Sequence, residues 1–230
     1  MTALANFLDT RTVMRFASAS ARATAFAAAG VTPAWGMLSY RTDGGINGFE
    51  YYNGTTASWR VYNRYRDFNT LGAATSAITF SSIPSYLRTI NVYVNARSDA
   101  AAAFAGVTYR IGGDASASYR HVVKFNQNGT WAAPTVQSGA TSALCGYINA
   151  NTTAAGLFGV IRLDLVGWDG PKAGALRGLS QSGFYDASGS YVLAESSTDY
   201  AGAAAYNSIT ILCSSGNFVA NSEFVLSGQE

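Results

Sequence analysis

The sequence predicts a mainly β protein: an N-terminal α-helix and small β-meander, followed by a jelly-roll-like β-sandwich. Three observations carry this. Short runs that alternate apolar and polar residues recur from residue 88 to the end, separated by Gly, Asn and Ser. The chain holds 24 Gly and 14 Tyr with abundant Ala, Ser and Thr, which suits tight turns and pleated contact surfaces. The one strong helical stretch lies near the N-terminus, so no helix is available for the crossovers of a parallel sheet.

That helix is expected over residues 11–30. Ala dominates the segment, Thr10 or Thr12 offers a cap, Gly30 stands where a helix closes, and Pro33 stops it. Val13, Phe16, Ala17, Ser20 and Thr24 fall near one narrow face. Such a face buries little area alone, so it must pack on its own β unit or on a symmetry mate.

Residues 36–65 read as a β-meander. Strands are expected at Met37–Tyr40, Gly48–Tyr52 and Ser58–Tyr62, with Asn53-Gly54 as the hairpin signal. Trp35, Tyr40, Phe49, Tyr51 and Trp59 are its candidate core. Residues 1–65 therefore form a first unit, residues 66–76 read as a linker, and residues 77–230 form the sandwich. Within the sandwich, Ile90, Val92 and Val94 alternate cleanly. So do Val107, Tyr109 and Ile111, then Tyr119, His121, Val123 and Phe125. Leu144–Ile148, Leu157–Val166, Gly189–Glu195, Ser208–Cys213 and Glu223–Leu226 complete the series.

Charge excludes several functions. Charged residues make up 12% of the chain, about half the usual share, and the net charge is only +2. The basic residues are scattered singly, which fails the footprint of a nucleic-acid binder. No apolar run is long enough for a membrane helix, and no secretory leader is visible at the N-terminus. A surface this poor in charge suits burial in an assembly.

Catalytic and cofactor signals are weak. His121 is the only histidine, so metal sites built on two histidines are excluded, and no cofactor motif is present. It reads as a partly buried strand residue, with a general base as the alternative. Cys145 and Cys213 read as small buried apolar residues; a disulfide between them stays open. Asp164 and Asp169 read as a surface pair rather than a glycosidase pair. Gly44–Gly48 lacks the Lys and following helix of a phosphate loop, and Gly178–Gly183 is one residue too long for a nucleophile elbow. Asn53, Asn128 and Asn151 head Asn-x-Thr triplets that turn chemistry explains. Three rings on expected loops, Trp131, Trp168 and Tyr185, are candidates for stacking on sugars; loop anchoring is the alternative.

Several stretches resemble virion structural proteins of tailed bacteriophages. Arg110-Ile-Gly-Gly-Asp-Ala-Ser-Ala-Ser-Tyr119 is similar to a strand-turn-Tyr motif of minor tail and tail-fibre sandwiches, with Gly112 in place of Asn. Gly156–Leu165 resembles their central strand, and Ser208–Gly228 their closing hairpin, with Asn221 for Gly and Ser227 for Tyr. Arg15–Arg22, Trp35–Tyr40, Phe49–Gly54 and Trp59 resemble a helix-plus-meander element that precedes distal tail domains. The resemblance implies a non-enzymatic virion component on the particle exterior, tail or head, partnered by itself and by other virion proteins. It implies a homotrimer joined through Val13, Phe16 and Ala17, with a sandwich that contacts a host cell-surface glycan in the receptor-binding alternative.

Overall fold

The computed structural model describes residues 14–41, 48–53, 57–61, 65–168 and 176–229. The chain divides into two compact units, Met1–Arg64 and Tyr65–Glu230.

In the first unit, strand β1 (Met14–Phe16) precedes helix α1 (Ala19–Ala29) and strands β2 (Leu38–Arg41), β3 (Gly48–Asn53) and β4 (Ser58–Val61). The sheet order is β1-β2-β3-β4, with β1 parallel to β2 and the other pairs antiparallel. The helix is thus shorter than its Ala content suggests. Met14–Phe16 is drawn into the sheet by pairing with Ser39–Arg41. Ser18 then starts the helix, its Oγ accepting the Ala21 N–H at 3.0 Å. Gly30 closes it at φ +61°, as the sequence indicates.

The helix buries Arg22 and Phe26, four residues apart on one face. Phe26 packs between Phe16 and Trp59, at ring-centroid distances of 6.0 and 5.8 Å. The Arg22 guanidinium lies 4.2 Å over the Trp59 ring and pairs with Glu50. Of the expected core, Trp59 belongs to this cluster and Trp35 is 69% exposed, while the side chains of Phe49 and Tyr51 lie outside those described.

The second unit contains β5 (Tyr65–Thr70), β6 (Ala77–Phe80), β7 (Thr89–Ala96), β8 (Phe104–Ile111) and β9 (Tyr119–Gln127). There follow β10 (Thr130–Trp131), β11 (Thr135–Ala140), β12 (Ala143–Asn149), β13 (Gly159–Val166) and β14 (Leu176–Tyr185). The last are β15 (Tyr191–Tyr200), β16 (Ile209–Cys213) and β17 (Glu223–Gln229). They form a nine-stranded sheet, ordered β10-β9-β15-β14-β13-β7-β17-β5 with β11 also on β9, and a four-stranded sheet, β12-β8-β16-β6. The chain crosses between the sheets at each step from β5 to β9, from β11 to β13 and from β15 to β17, which makes the sandwich jelly-roll-like.

Residues 66–76 are not a linker. Tyr65–Thr70 pairs with Gly228–Glu223 as the edge strand of the large sheet, and the Leu71 N–H bonds the Ser222 carbonyl at 2.9 Å. The segment lacks apolar alternation because neither face is deeply buried, only Tyr65 and Asp67 being half-buried; pairing with β17 makes it a strand.

Between the sheets lie Ile90, Val92, Tyr109, Ile111, Leu163, Leu165, Ile211 and Phe224, all buried. Their transfer from water is the main stabilising force, about 1.5–3 kcal/mol for each large side chain. The Tyr109 and Thr198 hydroxyls bond across the sandwich at 2.7 Å. The 110–119 turn closes on itself: the Tyr119 hydroxyl accepts the Ile111 N–H at 2.9 Å and donates to the Asp114 carbonyl at 3.0 Å. That bond pair is the physical content of the strand-turn-Tyr motif. Cys145 and Cys213 are both free thiols, so the disulfide alternative is not realised. Burial pushes the Cys145 thiol up to about 12.

The edge strand β12 is tied down by side chains of the opposite sheet. The Leu144 N–H donates to His121 Nδ1 at 3.4 Å, and Ser196 Oγ donates to the Leu144 carbonyl at 2.7 Å. The Tyr147 N–H donates to Ser182 Oγ at 3.2 Å. His121 is therefore a structural strand residue, buried on the inner face of β9.

Candidate functional site

Strand alternation dictates what the large sheet presents outward. Burying Ile161, Leu163 and Leu165 turns Val160, Arg162, Asp164 and Val166 of β13 to the other face. Register then aligns residues from distant parts of the chain. Lys124, Glu195, Gln181, Arg162, Tyr93, Val225 and Phe68 stand directly opposite one another, in that order, across seven strands. On one side of this row run Val122, Ser197, Leu179, Asp164 and Asn91; on the other run Asn126, Leu193, Gly183, Val160, Asn95 and Glu223.

The polar members hold one another in place. Lys124 Nζ is 3.0 Å from Glu195 Oε2, and Gln181 Nε2 donates to Glu195 Oε1 at 3.3 Å. Arg162 Nε donates to Asp164 Oδ1 at 3.1 Å, and Asn91 Nδ2 donates to the same oxygen at 2.6 Å. The hydrogen bond from Lys124 holds the Glu195 carboxyl below its ordinary range, and Asp164 raises the Arg162 guanidinium. Rings flank the row. The Lys124 ammonium sits 4.2 Å over Trp131, and Arg162 Cζ lies 6.0 Å from the Tyr93 centroid.

Two adjoining depressions cross this face. One, of about 500 Å³, is lined by Val122, Lys124, Asp164, Leu179, Glu195 and Ser197. The other, of about 480 Å³, is lined by Tyr93, Asn95, Val160, Gly183, Tyr191 and Leu193. Arg162 and Gln181 line both. Gly183 makes room here, because the Tyr191 side chain lies where a Cβ at that position would be. Leu179 and Val160 stand 68% and 51% exposed, so the face is amphipathic rather than purely polar.

The rings expected to bind sugar separate. Trp131 borders this face, 41% exposed. Tyr185 sits at the end of β14, half-buried, with its ring edge against Tyr191 at 5.5 Å. Trp168 cannot serve: it is fully buried, its ring tilted against Tyr206 at a centroid distance of 5.7 Å. Gly167, at φ +92°, turns the chain so that the ring points into the core. Of the expected subunit contacts, Val13 lies outside the described residues, Phe16 packs inside its own unit, and Ala17 is exposed. Asp169 also lies outside the described residues, while Asp164 points outward.

Sequence reasoning missed Lys124, Glu195, Gln181, Arg162 and Tyr93 as a set. Alternation marks each as outward-facing, but only the register joins them. Among the described residues, no group of three or more His, Cys, Asp or Glu is placed to hold a metal ion, and no helix is long and apolar enough to cross a membrane. The arrangement offers fixed hydrogen-bond donors and acceptors beside exposed aromatic rings, which complements a polyhydroxylated ligand.

No family model matches the chain, and no curated protein matches it. Solved structures give distant likenesses. The Caenorhabditis elegans galectin LEC-6 is 8% identical, with 72% of this chain and 96% of that one covered and a TM-score of 0.30. The exo-inulinase of Aspergillus awamori is 8% identical, covering 84% of this chain and 35% of that one at a TM-score of 0.33. The CBM2 module of an evolved Dit from Lactobacillus casei BL23 phage J-1 is 6% identical, covering 71% and 80% at 0.16. At these scores the likenesses assign the chain to no family.

Proposed function

We propose that this protein is a structural component of a tailed-phage virion whose sandwich binds a host-surface glycan on the exposed face of its nine-stranded sheet. The observation that carries the binding role is the register-aligned row Lys124, Glu195, Gln181, Arg162 and Tyr93, bordered by Trp131 and Tyr191. Sugar hydroxyls would meet the carboxylates, amides and guanidinium, and sugar faces would stack on the rings. The virion role is supported by the sequence stretches that resemble phage tail sandwiches.

The role is binding, not hydrolysis. A glycosidase needs one protonated carboxyl beside one ionised carboxylate. Here both carboxylates are held in ion pairs, Glu195 with Lys124 and Asp164 with Arg162, and the Lys124 hydrogen bond keeps the Glu195 carboxyl below its ordinary range.

A glycan array probed with the wild-type chain and with Arg162→Ala tests the site. Retention of a glycan by the wild type, lost in the variant, is expected; no retention on any glycan overturns the reading. Mass spectrometry of purified particles tests the virion role, which fails if the chain is absent from them. Light scattering tests the homotrimer that the resemblance implies, which fails if the solution mass stays at 24.1 kDa.

A further inference from the structure

Building on the glycan-binding reading, we infer that this face takes an internal stretch of a linear polysaccharide, laid obliquely across the strands, rather than a single terminal sugar. The two depressions are of nearly equal size and meet at the Arg162–Gln181 pair. One draws on β9, β15, β14 and β13; the other extends over β7 to β17. At about 4.8 Å between neighbouring strands, the five steps from β9 to β17 span about 24 Å, well beyond one sugar ring.

The two halves differ in chemistry. Lys124, Asp164 and Glu195 make the first a hydrogen-bonding subsite. Tyr93, Tyr191 and Val160 make the second a stacking subsite. Arg162 and Gln181 would then contact the two sugars on either side of one glycosidic linkage. Recognition of a chain end calls for a pocket that encloses most of the ligand. Here both depressions lie on one continuous sheet face, so a polymer can enter and leave along it.

The experiment uses the full chain and two probes. An array of bacterial capsular, O-antigen and teichoic polysaccharides first identifies the retained polymer. Size-fractionated fragments of that polymer, from one to about eight sugars, are then titrated by calorimetry. Affinity is expected to rise by at least about ten-fold from the monosaccharide to the longer fragments, because the second subsite is filled at high effective concentration. Capping the fragment ends should leave it unchanged. Tyr93→Ala and Lys124→Ala should each flatten the length dependence while keeping short-fragment binding at the other subsite. Lys124→Gln serves if Lys124→Ala does not fold. Equal affinity for monosaccharide and long fragments, or loss of binding on end-capping, overturns the polymer mode and leaves glycan binding standing. No retained polysaccharide at all overturns both.

Discussion

Tyr191 lies over Gly183, its hydroxyl in the space that a side chain at residue 183 would need. The residue directly opposite Gly183 on β15 is Leu193, so Tyr191 reaches diagonally across the sheet to fill the gap. Gly183→Ala must therefore displace that ring. Tyr191 is 54% exposed and can swing into solvent, so the fold should change by less than about 1 kcal/mol. The second depression would lose its stacking wall, and long-fragment affinity should fall several-fold. Calorimetry beside urea denaturation separates the two effects; unchanged affinity would mean that this depression holds no ligand.

The two tryptophans of the second unit should behave oppositely. Trp168→Ala empties a fully buried site and should cost about 3–5 kcal/mol. Trp131→Ala removes a half-exposed ring and should cost less than about 1 kcal/mol, yet weaken glycan binding by freeing Lys124 from its cation–π contact. Denaturation curves and array binding for both variants check this. Trp168→Phe, if folded, should bind like the wild type.

The bond between the Tyr109 and Thr198 hydroxyls joins the two sheets through the core. Tyr109→Phe should cost about 1–3 kcal/mol, because it leaves a buried hydroxyl unsatisfied. Adding Thr198→Val removes that hydroxyl too, so the double variant should lose less than the sum of the single ones. A urea double-mutant cycle reads the coupling; strict additivity would deny the bond any energetic role.

His121 gives the fold a pH dependence of predictable sign. Burial lowers its pKa from the ordinary value, so the unfolded chain takes up the proton first as pH falls below about 6.5. Stability should decline as pH falls through that value and level off below the folded pKa. Protonation at Nδ1 would also remove the acceptor for the Leu144 N–H. Urea midpoints between pH 7.5 and 5 should fall for the wild type and stay flatter for His121→Gln. The lowered carboxyls of Asp99, Asp114 and Asp186 act in a separate window: their contribution is present above about pH 4 and is lost below it.

The strands that the sequence reveals are those whose inward residues are large and apolar. β7 shows Ile90, Val92 and Val94, and β13 shows Ile161, Leu163 and Leu165. β14 escapes notice because its inward positions are Gly178, Ser180 and Ser182, small residues that hide the alternation. That strand carries Gln181, which lines both depressions of the candidate face. The start of α1 escapes for another reason: Ala propensity does not reveal that Met14–Phe16 will pair with a strand more than twenty residues away. The site itself joins positions 93, 124, 162, 181 and 195, a grouping that exists only once the register is set.

The side chains of His121, Ser182 and Ser196 already occupy backbone groups of β12 that an incoming strand would seek. Along this border the sandwich offers a blunted template for a neighbour to zip onto. Under the proposed virion role, in which many copies would stand on one particle, this matters most where crowding is greatest. Adjacent sandwiches would then stand close together with their sheets kept apart, and each would keep its outer face free.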